Sequence, residues 1–245
     1  MRKTSLNTYI KIKQQLVAKF KEEHFTHNKL PSEASLAKEL KISLVTLRES
    51  LMMLALEGYV TKRHGSGNYV HPSAFDPTDR IDMGLTFADA FRLQGYEPGM
   101  KIISVSESLP EVEQMQLFQI EEQQVIASCE IIYTADELPS IYSVQKIPKT
   151  YLKNPFRIGE KRGDFFQFLE EYCELSIIHS LNEYKAVLVP ERMENIFGIQ
   201  KGTPVIYCAQ LYYDIYDKPI FYNEHYFHPD RFGVKMLQNW DLNAK

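Results

Sequence analysis

No stretch of this 245-residue sequence approaches eighteen consecutive apolar residues, so nothing in it reads as a membrane-spanning helix. It does not open on a signal peptide either. The first residues, MRKTSLNTYIKIKQQ, are polar and charged, and a cytoplasmic protein with no membrane partner is expected. Cysteine is scarce. Cys129, Cys173 and Cys208 lie far apart among apolar or aromatic neighbours, which fits reduced packing residues and not a disulfide frame or a metal cluster. Catalytic patterns are missing as well: there is no phosphate-binding glycine loop, no nucleophile-and-base spacing and no pair of acids in a recognisable motif. Neither an enzyme nor a cofactor is expected.

Charge of one sign is also lacking, but only in the whole-chain sum of −4. Up to Pro72 there are 12 Lys and Arg against 6 Asp and Glu, a balance of +6; the remainder holds 16 against 26, a balance of −10. A basic segment joined to an acidic one suits a DNA reader fused to a domain that does not compete for the duplex. The length supports two domains, each able to bury a core.

The most structured signal runs from Leu30 to Val70, LPSEASLAKELKISLVTLRESLMMLALEGYVTKRHGSGNYV. Ser32, after Pro31, is placed to cap a helix to Leu40 with Leu36, Ala37 and Leu40 on one side. Ser43 is placed to cap a second helix, whose Leu44, Leu47, Leu51 and Leu54 recur at three and four and define a buried stripe; Gly58 ends it. The opposite face is expected to carry Val45, Thr46, Glu49 and Met53, with Arg48 on the flank. Short hydroxyls and an arginine at the start of a second helix suit a major-groove reader. Tyr59 to Lys62 and Asn68 to His71 then read as a two-stranded ribbon, with a basic, glycine-bearing tip suited to the phosphate backbone or minor groove. Ahead of all this, Tyr9 to Phe25 reads as a helix with Ile12, Leu16 and Phe20 inward and Lys11, Lys13, Lys19 and Lys21 around it, lysines open to phosphates.

The order LPSE, AKEL, ISxxTLRESL, LEGYV and HGSGNYV resembles the winged helix-turn-helix of the GntR superfamily of bacterial transcription regulators. The resemblance implies contacts with double-stranded DNA at Ser43, Thr46 and Arg48, and from the wing at His64 and Gly65. Ser32 at the neighbouring cap, the cations Lys62 and Arg63, and Gly67 at the tip complete the candidate set. Two positions depart from the family pattern, Ala34 and Leu44, where arginines that touch DNA are usual. An unusual operator or weaker binding is the expected consequence.

From His71 to Gly84 the prolines and aspartates carry no apolar period, and 73–83 reads as a linker between a reader at 1–72 and a second domain at 84–245. That domain opens on a helix capped by Thr86 with Asp89, stopped at Gly95. Strands are expected at Met100 to Glu107, Val125 to Thr134, Ile141 to Ile147, Ser176 to Val189, Pro204 to Ile215 and Pro219 to His228. Helices are expected at Glu111 to Phe118, Asp164 to Cys173 and Glu191 to Phe197. The sum is an α+β domain, an antiparallel sheet with helices on one side. GYEPGMKIISV, ENIFGIQKGTPVIY and YDKPIFYNEHYFHPDRF resemble the UTRA effector domain of the HutC subfamily, whose fold is similar to chorismate lyase. This resemblance implies a homodimer, paired through the effector domains, that binds a palindromic operator, most often as a repressor, and answers to a small-molecule effector.

Many UTRA domains that sense phosphorylated sugars carry arginines at the positions of Ile131 and Tyr133, so a phosphosugar is not expected here. Tyr222, Glu224, Tyr226 and Arg231 match the family's last strand and following turn, and with Tyr133 they form the candidate effector-binding set, suited to a hydroxylated or amino-bearing ligand. Glu224, His225, His228 and Asp230 are metal-ligand types, but a regular strand sends His225 and His228 to opposite faces, so no metal site is expected. The alternatives are an effector-binding protein whose DNA reader has eroded, and a lyase-like enzyme.

Overall fold

The computed structural model describes residues 2–75, 80–159, 161–162, 165–173 and 176–238. Residues 76–79 of the expected linker, Asp164 at the head of an expected helix, and 239–245 at the end of the expected second domain lie outside the described residues. The chain forms two compact units, Met1–Met83 with Lys235–Lys245, and Gly84–Val234.

In the first unit, α1 (Arg2–Glu22), α2 (Glu33–Glu39) and α3 (Leu44–Leu56) precede a hairpin of β1 (Val60–Arg63) and β2 (Gly67–Val70). The caps are local chemistry. Ser32 Oγ accepts from Ser35 N at 3.2 Å, and Ser43 Oγ from Thr46 N at 3.0 Å, each satisfying an amide that the helix leaves unpaired. Gly58, with φ +78°, takes the left-handed conformation that lets the chain leave α3 for β1. Ile12, Leu16 and Phe20 of α1 join Leu36, Ala37, Leu47, Leu51, Leu54, Val60 and Val70 in one buried cluster. Fully burying one such aliphatic or aromatic side chain contributes about 1.5–3 kcal/mol.

Several expectations shift. The ribbon strands each begin and end one residue away from the sequence reading, because Val60↔Val70 and Arg63↔Gly67 close the register around a tip of His64, Gly65 and Ser66. On α3 the outer face carries Met52, 60 % exposed, while Met53 turns half inward and Ser50 is buried with its hydroxyl on Thr46 O. The stretch expected as a linker is tied down at Arg80. Its guanidinium lies over the Tyr59 ring and donates to Asp82 and to Glu57 O, and Ile81 N donates to Lys235 O at 3.0 Å.

The second unit contains α4 (Phe87–Leu93), β3 (Pro98–Ser108), α5 (Val112–Phe118), β4 (Ile126–Ala135), β5 (Leu138–Pro148), β6 (Lys161–Arg162), α6 (Phe165–Tyr172), β7 (His179–Leu188), α7 (Glu191–Phe197), β8 (Pro204–Tyr213) and β9 (Pro219–Phe227). Its strands form a seven-stranded antiparallel sheet in the order β6-β3-β4-β5-β9-β8-β7. Asp136 and Glu137, both at positive φ, make the tight β4–β5 turn, so β5 begins at Leu138, three residues ahead of the expected Ile141. The expectation of helices on one side is corrected. Phe91 of α4 and Phe168 and Leu169 of α6 pack on one face with Ile131, Ile141, Phe221 and Phe227, whereas Met193 and Phe197 of α7 pack on the other with Tyr142 and Val205. Each strand alternates, so both faces present apolar residues that need cover.

Candidate nucleic-acid interface and effector site

The reader's charged groups converge on one carboxylate. Glu33, in the first turn of α2, accepts from Arg48 Nε at 2.7 Å and from Asn68 Nδ2 at 3.4 Å, and lies 3.5 Å from Lys62 Nζ. These partners come from α3, β2 and β1, so one side chain ties the recognition helix to the ribbon. The hydrogen bond from Arg48 holds the Glu33 carboxyl below its ordinary value. Arg48 remains 58 % exposed and keeps its outer nitrogens available. Ser43 and Thr46 bond to each other at 2.8 Å between hydroxyls, at the exposed N-terminal tip of α3. On the ribbon, Arg63 stands over the Tyr69 ring, Tyr69 bonds Ser66 at 2.6 Å, and His64, Gly65 and Gly67 are exposed at the tip.

Thus Ser32, Arg48, Lys62, Arg63, His64, Gly65 and Gly67 line one open cleft. Ser43 and Thr46 are not among its lining, and the Ser32 and Ser43 hydroxyls are already engaged in capping. Two lysines of α1 depart from expectation: Lys13 pairs with Glu57 at 2.7 Å, and Lys19 with both Glu23 and Glu39 at 2.5 Å, so neither is a free cation for phosphate.

The expected effector set divides: Tyr222, Glu224 and Tyr226 gather on one face around Tyr207, and Tyr133 lies on the other. Tyr133 faces α4, where its ring meets Phe87 edge-on. Tyr222, Glu224 and Tyr226 project from the opposite face of the sheet, and Arg231 beyond β9 donates to Pro139 O at 2.7 Å. The cause is register. Ile131 pairs with Ser143 and Ser143 with His225, so odd positions of β4, β5 and β9 share the face beneath α4, and even positions of β9 lie behind it. Glu224 is occupied there by Lys146 at 2.9 Å and Tyr207 at 3.0 Å.

Beneath α4 and α6 lies a polar layer that the sequence reading missed. Ser143 meets His225 Nδ1 at 2.6 Å, and His225 Nε2 meets Gln210 Oε1 at 3.2 Å. Tyr212 donates to the same Gln210 oxygen at 2.5 Å, and Asn223 Nδ2 donates to Tyr212 at 3.4 Å. Gln145 donates to Tyr133 at 3.3 Å. Gln210 Oε1 can only accept, so His225 carries its proton on Nε2 and takes the Ser143 proton on Nδ1, a neutral imidazole. Burial agrees, pushing the His225 pKa down to about 3. Ser143, Gln145 and Asn223 are fully buried, and Asn223 Oδ1 has no partner. The available signal was the alternation itself, with polar residues at 143, 145, 223 and 225 where an apolar face would continue.

Among the described residues no three His, Cys, Asp or Glu are placed to hold a metal ion, and no helix is long and apolar enough to cross a membrane.

Two family models match the chain: UTRA domain over residues 93–233, and Bacterial regulatory proteins, gntR family, over residues 8–70. The HTH-type transcriptional repressor NagR of Bacillus subtilis (strain 168) is 26 % identical over 215 residues, 84 % of each chain. The Histidine utilization repressor of Pseudomonas putida is 21 % identical over 204 residues, 81 % of this chain and 79 % of that one. Among solved structures, the possible transcriptional regulator YydK of Bacillus subtilis superposes with a TM-score of 0.74 at 20 % identity, covering 95 % of this chain and 99 % of that one. PhnF of Mycobacterium smegmatis gives 0.58 at 17 %, covering 93 % and 98 %. These two likenesses establish the fold.

Proposed function

The chain belongs to the UTRA-domain family and, through its N-terminal segment, to the gntR family of bacterial regulatory proteins, and on that premise we propose that its operator affinity is set by a small molecule bound beneath α4 and α6. The protein is a DNA-binding transcription regulator, not an enzyme. Repression is the sign we assign, since both relatives matched over most of their length carry that word in their names. The DNA reader acts at Arg48, Ser43, Thr46 and the ribbon cations, in the cytoplasm where its operator lies. Two copies bind a palindrome with readers one helical turn or a multiple apart.

The observation that carries the ligand-controlled reading is the buried polar layer around His225. An apolar face would stabilise the same sheet at lower desolvation cost, so polar groups kept at five or more buried positions point to recognition. A ligand alters operator affinity only if it binds one of two states better than the other. Selection of duplexes from a random library at ~0.15 M salt, where non-specific attraction is weak, tests the reader. A recovered palindrome supports the proposal. Failure of the folded protein to enrich any sequence would instead favour an eroded reader, with Ala34 and Leu44 as the lost arginine positions.

A further inference from the structure

Resting on the reading of α3 as the helix that enters the major groove, we infer that Val45 determines specificity: its side chain meets the 5-methyl group of a thymine in each half-site, close to the base that Arg48 addresses.

Few side chains at the start of α3 remain to do the reading. Leu44 packs on the reader's core, and Leu47 and Ser50 are buried. The Ser43 hydroxyl accepts from Thr46 N and is bonded to the Thr46 hydroxyl, so both hydroxyls are turned to the cap. Val45, Arg48 and Glu49 face outward. Arg48 is held by Glu33 and continues the interface already described. Val45, beside it, is 62 % exposed. A recognition helix presents its N-terminal residues to base edges, and Val45 stands in the first turn of α3.

The fold does not call for a valine at this position. It lies outside the buried cluster of the reader, and a β-branched side chain has a lower helix propensity than the straight-chain residues that suit an exposed helical position. Thymine gives it a partner. The 5-methyl group is the apolar feature that marks thymine in the major groove, and apolar side chains contact it there. Residues three apart on a helix are neighbours, with about 5–6 Å between Cβ atoms, and base pairs rise by about 3.4 Å, so the thymine falls about one or two steps from the base that Arg48 addresses.

The test starts from duplexes that the full-length protein enriches from a random library. Each thymine of the recovered half-site is replaced in turn by deoxyuridine, which removes the methyl group and keeps every hydrogen-bonding atom. Affinity is measured for the wild type, Val45→Ser and Thr46→Ser, whose cooperative melting confirms folding. The expected result is a thymine at which deoxyuridine weakens the wild type by roughly fourfold for each half-site substituted, as loss of one buried methyl group does. Val45→Ser should bind the two duplexes alike, while Thr46→Ser should still distinguish them. If Thr46→Ser and not Val45→Ser removes the distinction, Thr46 is the methyl reader and the inference fails. It fails equally if deoxyuridine weakens no position, or weakens the wild type and Val45→Ser by the same factor; in these cases the enriched site still supports the reader. A folded protein that enriches no duplex overturns the inference together with the reading it rests on.

Discussion

Arg48 Nε stands 2.7 Å from Glu33 Oε2, a bond that joins the first turn of α2 to the second turn of α3, fifteen residues on. The same carboxylate receives Asn68 and lies near Lys62, so the recognition helix and the ribbon are oriented through one negative charge in an otherwise basic cleft. An arginine held by a carboxylate on one nitrogen is pre-positioned, and its remaining donors can address a base edge at little entropic cost.

Removing that charge raises non-specific affinity and lowers specificity. Glu33→Gln leaves a side chain of equal size that no longer repels phosphate, so affinity for non-specific duplex rises. Arg48 loses its fixed orientation, so the ratio of specific to non-specific affinity falls. Titrating operator and scrambled duplexes across a salt series measures both; an unchanged ratio would show that Glu33 does not position the reader.

Arg48 and the ribbon cations differ in kind. Arg48→Ala should weaken operator binding by ~1–3 kcal/mol and relax one base position, as loss of a base contact does. Lys62→Ala and Arg63→Ala should weaken every duplex alike and reduce the salt slope by about 0.9 each, as loss of a phosphate contact does. Base-by-base substitution of the operator separates the two patterns, and an Arg48→Ala profile parallel to the wild type would exclude direct readout.

The reader was legible because its signals are local. Ser32 and Ser43 announce their helices within three residues, and the leucines of α3 announce the buried side by spacing. Errors arose where the cause was distant. Met52 and Met53 are one residue apart in sequence but about 100° apart around the helix. Lys13 and Lys19 looked available because their partners Glu57 and Glu39 lie 44 and 20 residues away. In the second unit, alternation declared two faces for each strand but not which face α4 and α6 cover, and that choice decides whether Glu224 or His225 faces the polar layer. The return of Lys235 to the first unit left no sequence signal at all.

Acid should weaken the second unit through His225. Its folded-state pKa of about 3 lies below the ordinary 6.5, so the unfolded chain binds more protons between these values. Stability is therefore full above pH 6.5 and falls as pH drops below it, at a limiting slope of ~1.4 kcal/mol per pH unit. His228, also lowered by burial, adds to the decline. His225→Gln keeps hydrogen-bonding capacity but does not titrate, so its stability should change less than the wild type between pH 7 and 5. Parallel denaturation profiles for the two proteins would remove His225 as a source of the acid sensitivity.

The end of α3 gives the last prediction. Gly58 sits at φ +78°, and a Cβ added there would lie 2.1 Å from Leu237 Cδ2, the nearest of three Leu237 atoms. Gly58→Ala therefore carries two costs: about 1–2 kcal/mol for a left-handed conformation in a residue with a side chain, and a further cost to displace Leu237. Leu237→Ala alone removes a packing contact at the base of the reader and should destabilise it modestly. Combined with Gly58→Ala, it frees the space that the new methyl needs, so the double variant should be more stable than the two single changes add up to, while the backbone cost persists. Hydrogen exchange of the α3 amides in the full-length protein reads this out at the reader itself. Strict additivity would mean that Leu237 does not hold this position in solution, and that the chain's return at Lys235 ends before it reaches α3.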